Sequence, residues 1–188
     1  MGNDMALPES GTGARLLERL RAGEFAGFWV LDAGRSTVAL RSRSIWGMIP
    51  VKGTFTELTG EGIVSPTGEV TGTLKVAAAS IDTKIKKRDS HLRSADFFDS
   101  DAYPDIVFTA RTLTTSPDGG LAVVGTLRVR DETRPITVPI RVSASGDELA
   151  QLDAEIRVDR SEFGLTWNQL GMVSLKNVIN VRAVFTRR

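Results

Sequence analysis

Residues 121–142 read LAVVGTLRVRDETRPITVPIRV. Leu121, Val123, Gly125, Leu127 and Val129 alternate with a second set that ends in Arg128 and Arg130. Ile136, Val138, Ile140 and Val142 then alternate with Thr137, Pro139 and Arg141. Apolar residues at every second position mark a strand with one buried and one wet face. Each run therefore predicts a half-buried β-strand.

The same period recurs outward from this stretch in both directions. In Thr37–Arg43, Val38 and Leu40 oppose Arg41 and Arg43. In Val70–Ala79, one face is Val70, Gly72, Leu74, Val76 and Ala78. Ile106, Phe108 and Ala110 form another face, as do Leu152, Ala154, Ile156 and Val158, and Ile179, Val181, Ala183 and Phe185. Turn signals separate the runs at Thr67-Gly68, Pro117-Asp118-Gly119-Gly120 and Gly146-Asp147. With Phe28–Asp32 and Val51–Glu61, about eight or nine strands result. Many are long, about nine to eleven residues or ~30 Å at ~3.3 Å each. Long strands with one apolar face favour a closed barrel, because closure removes the unpaired edges. The fold class is therefore all-β, a sandwich or, as the strand lengths favour, a closed antiparallel barrel, with a short helical insertion and a short N-terminal helix.

The N-terminal region differs in period. Residues 1–12 read as a tail, and residues 14–22 as a helix with Leu16, Leu17 and Leu20 on one side and Gly23 as its stop. A helix this short is not stable alone in water, so it must dock or fray. Residues 1–26 are accordingly assigned to a tail and helix, and residues 27–188 to the barrel domain.

Composition narrows function mainly by exclusion. The chain has 188 residues, 24 Lys+Arg, 23 Asp+Glu, one His and no Cys, for a net charge of +1. Without Cys there is no disulfide or thiolate chemistry, and one His cannot supply a His-rich metal site. A near-neutral balance argues against nucleic acid as a partner. No P-loop, dinucleotide fingerprint or nucleophile elbow occurs, so no cofactor is expected. No apolar run is long enough for a transmembrane segment, and residues 1–23 offer no secretory leader, which points to the cytoplasm, with a secreted form whose leader has been removed as the alternative. A homodimer is compatible with the sequence but nothing in it specifies one.

One segment interrupts the strands. Lys84–Ala95 reads as a polar helix or irregular piece, followed by Phe97-Phe98. An insertion of about twenty residues where a hairpin would do is a candidate functional element or a plug for the barrel end. Ser80 or Asp82 is the expected cap of its helix. Lys86, Lys87, Arg88 and Arg93 form a candidate anion site, against the simpler reading of surface ion pairs. His91, beside Asp89, reads as a hydrogen-bonded structural residue. Trp29, Trp46 and Trp167 are expected in the core or at a barrel mouth. Small residues on the inward faces (Gly72, Ala78, Ala110, Gly125, Ala154, Ala183) either leave a cavity or mark barrel bends.

The insertion also carries a resemblance. Ser80-Ile81-Asp82-Thr83, Arg88-Asp89, His91-Leu92-Arg93-Ser94 and Asp96-Phe97-Phe98-Asp99, then Tyr103-Pro104, Ile106 and Phe108, strongly resemble the signature of the YceI-like family. Weaker matches follow in order: Trp29 with Asp32, Ser36 with Val38, Val51-x-Gly53-x-Phe55, Val124-Gly125 with Thr133-Arg134-Pro135-Ile136, and Asp159-Arg160-Ser161 with Phe163-Gly164. They span about residues 28–186. The resemblance implies an eight-stranded antiparallel lipocalin-like barrel that binds, sequesters or transports a polyisoprenoid lipid, a quinone tail or prenyl chain, inside the barrel. It departs from the family at Arg35-Ser36, where His-Ser is common, at Ser44-Ile45-Trp46, where a second His is frequent, and at Asp131, where Gly is usual.

The expected ligand-binding wall is Val38, Leu40, Leu74, Val76, Phe97, Phe98, Ile106, Phe108, Leu127, Ile156, Phe163 and Trp167. Candidate head-group contacts are Arg88, His91 and Arg93. No catalytic residue or metal ligand is assigned. The alternatives are an enzyme acting on an apolar prenyl-type substrate, with Asp89 and His91 as its acid–base pair, and a ligand-free, stress-related interaction protein.

Overall fold

The structure is a computed structural model that describes residues 12–44, 48–167 and 174–188. Ile45 and Trp46 lie outside the described residues. A helix, α1 (Thr12–Arg21), precedes β1 (Gly27–Leu31), β2 (Thr37–Ser44), β3 (Ile49–Phe55), β4 (Leu58–Val64), β5 (Val70–Ala77) and β6 (Ile81–Asp82). The insertion helix α2 (Lys86–Arg93) leads to β7 (Asp105–Thr115), β8 (Leu121–Val129), β9 (Glu132–Ser145), β10 (Leu149–Asp159) and β11 (Lys176–Arg187).

These segments make an antiparallel barrel of eight staves. β11 pairs with β1 through Phe185–Arg187 and with β2 through Val178–Arg182, so β1 and β2 are one stave with a break. β3 and β4 make the second stave, and β5 and β6 the third, because β2 pairs with β3 and β1 with β4. The breaks are a 3₁₀ turn at Ala33–Arg35, residues 56–57, and a 3₁₀ turn at Ala78–Ser80. The β1–β11 pairing closes the ring at the α1 end, while among the described residues β6, at the other end of the ladder order, pairs with β3 alone.

The period-two faces hold along the last three staves. Ile136 through Ala144, Ala150 through Val158, and Ile179 through Phe185 turn every second residue inward. On β7 the alternation changes: Ile106, Phe108 and Ala110 face in, then a bulge between Ala110 and Thr112 brings Leu113 inward instead of Thr112 or Thr114. One extra residue at a bulge reverses the facing of all that follow.

Of the two readings of the small inward residues, Gly125 follows the one in which a glycine serves the backbone and leaves no cavity. A Cβ there would lie 2.1 Å from the carbonyl oxygen of Thr109, so this glycine lets β8 approach the bulged part of β7. It is absent from the cavity wall, whereas Ala110, Ala154 and Ala183 belong to it.

The helix cap also differs from expectation. Ile85 occupies the N-cap of α2 and makes no side-chain cap. Ser80 instead donates to the carbonyl of Ala77 at 2.7 Å, and Asp82 accepts from the Lys84 amide at 2.8 Å and its ammonium at 2.6 Å. With Lys84 in the left-handed region at φ 64°, the chain turns before the helix begins, and Asp82 serves that turn. Within α2, Asp89 is buried and accepts from the amide and hydroxyl of Thr83.

α1 closes one end of the barrel. Leu20 packs with Phe25, Trp29 and Val64, with Leu16, Leu17, Val70, Leu113, Ala150 and Phe185 around them. The Trp29 indole donates to the carbonyl of Phe25 at 3.0 Å. Docking is tight at Gly68, whose Cβ position is 2.7 Å from the backbone of Leu20 and Arg21. Burying each such leucine contributes about 1.5–3 kcal/mol, which a free ten-residue helix lacks.

Candidate functional site

The staves enclose a cavity of about 480 Å³, inside the roughly 300–1,000 Å³ range of small-molecule sites. All twelve residues expected on its wall line it: Val38 and Leu40 from β2, Leu74 and Val76 from β5, Ile106 and Phe108 from β7, Leu127 from β8, and Ile156 from β10. Phe97 and Phe98 come from the insertion, and Phe163 and Trp167 from the segment between β10 and β11. Phe108 stands opposite Leu127 across one ladder and Leu74 across the other, so the wall is continuous there.

The two ends of the cavity differ. At one end Leu16, Leu20, Phe25 and Trp29 supply hydrocarbon, with Glu61, Thr71 and Thr73 reaching the wall from β4 and β5. At the other, the inward alternation of three strands runs on into polar residues. Val38 and Leu40 are followed by Ser42, Ile156 and Val158 by Arg160, and Ile179 is preceded by Asn177. Thr83, Arg88 and His91 join them from the insertion. A tube with one apolar end and one polar collar has a direction.

The collar is held by specific bonds. Arg160 is 5% exposed, donates from Nε to the carbonyl of Ser174 at 3.0 Å and from Nη1 to the carbonyl of Leu165, and stacks 5.4 Å from the Phe97 centroid. Burial pushes its pKa down, opposed by the nearby Asp159 carboxylate. Arg88 donates to the hydroxyl of Thr83 at 2.8 Å and to its carbonyl at 3.0 Å. His91 lies edge-on to Trp167 at 4.4 Å and to Phe97 at 5.3 Å. Its Nε2, like the Ser42 Oγ, is buried and has no hydrogen-bond partner among the described residues. A buried polar atom without a partner is costly, so both are ready acceptors or donors for a polar group in the cavity.

Several expectations do not converge on the cavity. Arg93 is not part of its wall; its guanidinium donates to the carbonyl of Ile81 at 3.0 Å and ties α2 to β6. Lys86 and Lys87 are exposed and also lie off the wall. The candidate acid–base pair is divided: Asp89 serves Thr83, while the carboxylate facing His91 is Asp96, 3.9 Å from Nδ1. His91 is therefore a ring-stacked residue rather than the hydrogen-bonded one expected. Arg35 is exposed in the break between β1 and β2, where it donates to Asp32 at 2.7 Å, so that departure from the family pattern leaves the cavity untouched. Ser42, Asn177 and Arg160 were missing from the expected site. Their signal was parity alone, since each extends an inward face by two residues.

Arg130 adds a link that composition could not suggest. It takes φ 56° in the β8–β9 turn, beside the Asp131 that replaces the family's usual Gly. Its guanidinium donates to the carbonyl of Phe97 at 3.2 Å and stacks 5.6 Å from the Tyr103 centroid. The turn thereby clamps the insertion.

A family model described as YceI-like domain matches residues 29–186. The chain belongs to the YceI-like family. A UPF0312 protein of Staphylococcus aureus is 28% identical to it over 127 residues, 63% of this chain and 71% of that one. Protein YceI of Escherichia coli is 30% identical over 95 residues, 48% of this chain and 49% of its own. Among solved structures, Burkholderia cenocepacia BcnA superposes with a TM-score of 0.73 at 21% identity, covering 82% of this chain and 98% of BcnA. A polyisoprenoid binding domain from Saccharophagus degradans gives a TM-score of 0.68 at 16% identity, covering 85% and 98%. The YceI-like match begins at Trp29, so α1 and its apolar seal lie outside it. The polar collar lies inside it, in the insertion and the segment around Arg160.

Proposed function

We propose that the barrel binds one polyisoprenoid chain and sequesters or carries it, with the polar head in the collar and the tail toward α1. The observation that carries this reading is a largely hydrocarbon-walled cavity with Ser42, Thr83, Arg88, His91, Arg160 and Asn177 gathered at one end. Each buried CH₂ contributes ~0.8 kcal/mol, so a five-carbon isoprene unit is worth about 4 kcal/mol. A few units supply most of the affinity, and the collar selects the head. Arg160 and Arg88 favour an anionic or carbonyl-bearing head, and the unpartnered Ser42 Oγ and His91 Nε2 add one hydrogen bond each. The Saccharophagus degradans domain of the same fold is described as polyisoprenoid-binding, which supports the ligand class.

The test is mass spectrometry of an organic extract of the purified protein, followed by titration with an isoprenoid quinone and a prenyl diphosphate. Co-purified isoprenoid and saturable binding are expected. An empty extract together with no binding of either compound would refute the proposal.

A further inference from the structure

We propose that the collar end of the barrel docks on an anionic lipid bilayer, with exposed apolar side chains entering the acyl layer and lysines around them meeting lipid phosphates. The proposal rests on the lipid-binding reading for its purpose, because it supplies the route by which a membrane-soluble chain reaches the cavity.

Among the described residues, exposed large apolar side chains are not scattered. Met48 is 71% exposed, Ile49 47%, Ile85 50% and Leu175 37%. All four lie at the collar end. Ile49 begins β3, opposite the end of β2, and Met48 directly precedes it. Leu175 joins them because the neighbouring Ser174 amide donates to the carbonyl of Arg43 at 2.9 Å. Ile85 follows β6, which runs antiparallel to β3, with Thr83 beside Gly53 and the chain continuing toward the same tip. The remaining exposed pair, Phe28 and Ile63, is a cross-strand couple on the outer wall of β1 and β4.

Charge chooses the partner. Lys84, Ile85, Lys86 and Lys87 are all exposed, so one apolar side chain stands among three ammonium groups. Lys52 and Lys176 are exposed nearby on β3 and β11. Against them stand Asp82, paired with Lys84 at 2.6 Å, and Asp159, opposite Lys176 in the ladder. Asp96, Asp99 and Asp101 come after α2, on the way to β7. The same end of the barrel also carries Asp105, Asp131, Glu132 and Glu162, so the positive charge is local: Lys84, Lys86 and Lys87 around Ile85. Long lysine stems lie along hydrocarbon while their heads stay at phosphate level. Apolar tips ringed by cations suit the boundary between acyl chains and anionic head groups, and polybasic attraction to such a surface is salt-dependent. A protein partner would have to match both features, whereas a bilayer does so without shape complementarity, and it also holds the expected cargo.

The experiment is co-flotation with vesicles of phosphatidylcholine alone, or mixed equally with phosphatidylglycerol, at low and high salt. The wild type is expected to float with the anionic vesicles, and tenfold less with the neutral ones or at high salt. Lys86→Glu/Lys87→Glu and Met48→Ser/Ile85→Ser should each lose at least tenfold in partitioning, while Phe28→Ser/Ile63→Ser should not. Circular dichroism and thermal melts confirm that each variant is folded. Isoprenoid quinone binding in detergent micelles is measured in parallel, and the rim variants are expected to keep it. Quinone binding without flotation overturns the docking proposal alone. Flotation that the rim variants share with the wild type also overturns it, as does capture by a soluble protein with no vesicle binding. Flotation lost in the rim variants, with no quinone binding by the wild type, leaves docking standing and removes the cargo.

Discussion

Replacing Ala154 by Phe should raise stability and lower affinity together. Ala154 faces the cavity from β10, between Ile140 on β9 and Val181 on β11. A phenyl ring there occupies about the space of one isoprene unit. Displacing such a unit removes about 4 kcal/mol of transfer energy, close to a thousandfold in Kd at ~1.4 kcal/mol per tenfold. The ring enters a void of about 480 Å³ rather than a filled core, so the usual overpacking penalty does not apply. Its own burial contributes about 1–2 kcal/mol to the empty fold, or a Tm increase of about 2–8 °C. Calorimetric melting of lipid-free protein reads the first effect, and titration with an isoprenoid quinone, followed by Trp167 fluorescence, reads the second. A folded Ala154→Phe variant with wild-type affinity would show that the chain does not lie in the barrel. A variant that is weaker in both respects would mean that the void is not available to a side chain.

Three further outcomes test the scaffold. Gly68→Ala places a Cβ 2.7 Å from the α1 backbone at φ +86°, and should cost about 2 kcal/mol and lower Tm by about 4–8 °C in a thermal melt. Arg130→Gly and Arg130→Ala both release the Phe97 carbonyl, but only Gly relieves the left-handed backbone; in urea titration the Gly variant should be more stable than the Ala variant by about 1 kcal/mol. The Asp153 carboxyl is held below its ordinary 3.8 first by the Gln151 amide and then by Arg182. Its stabilisation is therefore complete above that pH and disappears as pH falls through the depressed value. Asp153→Asn should be destabilised at neutral pH and converge on the wild type in acid, as read by urea titrations across pH.

The sequence made the wall legible and the collar only partly so. Apolar alternation located the inward faces of β9, β10 and β11 because nothing interrupts their pairing. It could not show that Leu113 turns inward, since the bulge after Ala110 is a backbone event with no residue signature. It also stopped where side chains became polar. Ser42, Asn177 and Arg160 hold inward positions by parity, but an apolar pattern is blind to them. Asp89 and His91 looked like a pair from spacing, yet a short helix separated them by giving Asp89 to Thr83. The sequence left Gly125 as either cavity space or a barrel bend, and it is a close approach of two backbones.

β6 pairs with β3 alone, and the insertion, not a ladder, carries the wall from there to the Arg130 clamp. The barrel is thus a cask with one panel fastened by side chains and helix ends. Swinging that panel breaks few inter-strand rungs, so its opening free energy lies below that of global unfolding. Amides of residues 84–104 should exchange with solvent by a sub-global route, while those of β9, β10 and β11 wait for the whole cask to come apart. A container built this way can be filled and emptied without being dismantled.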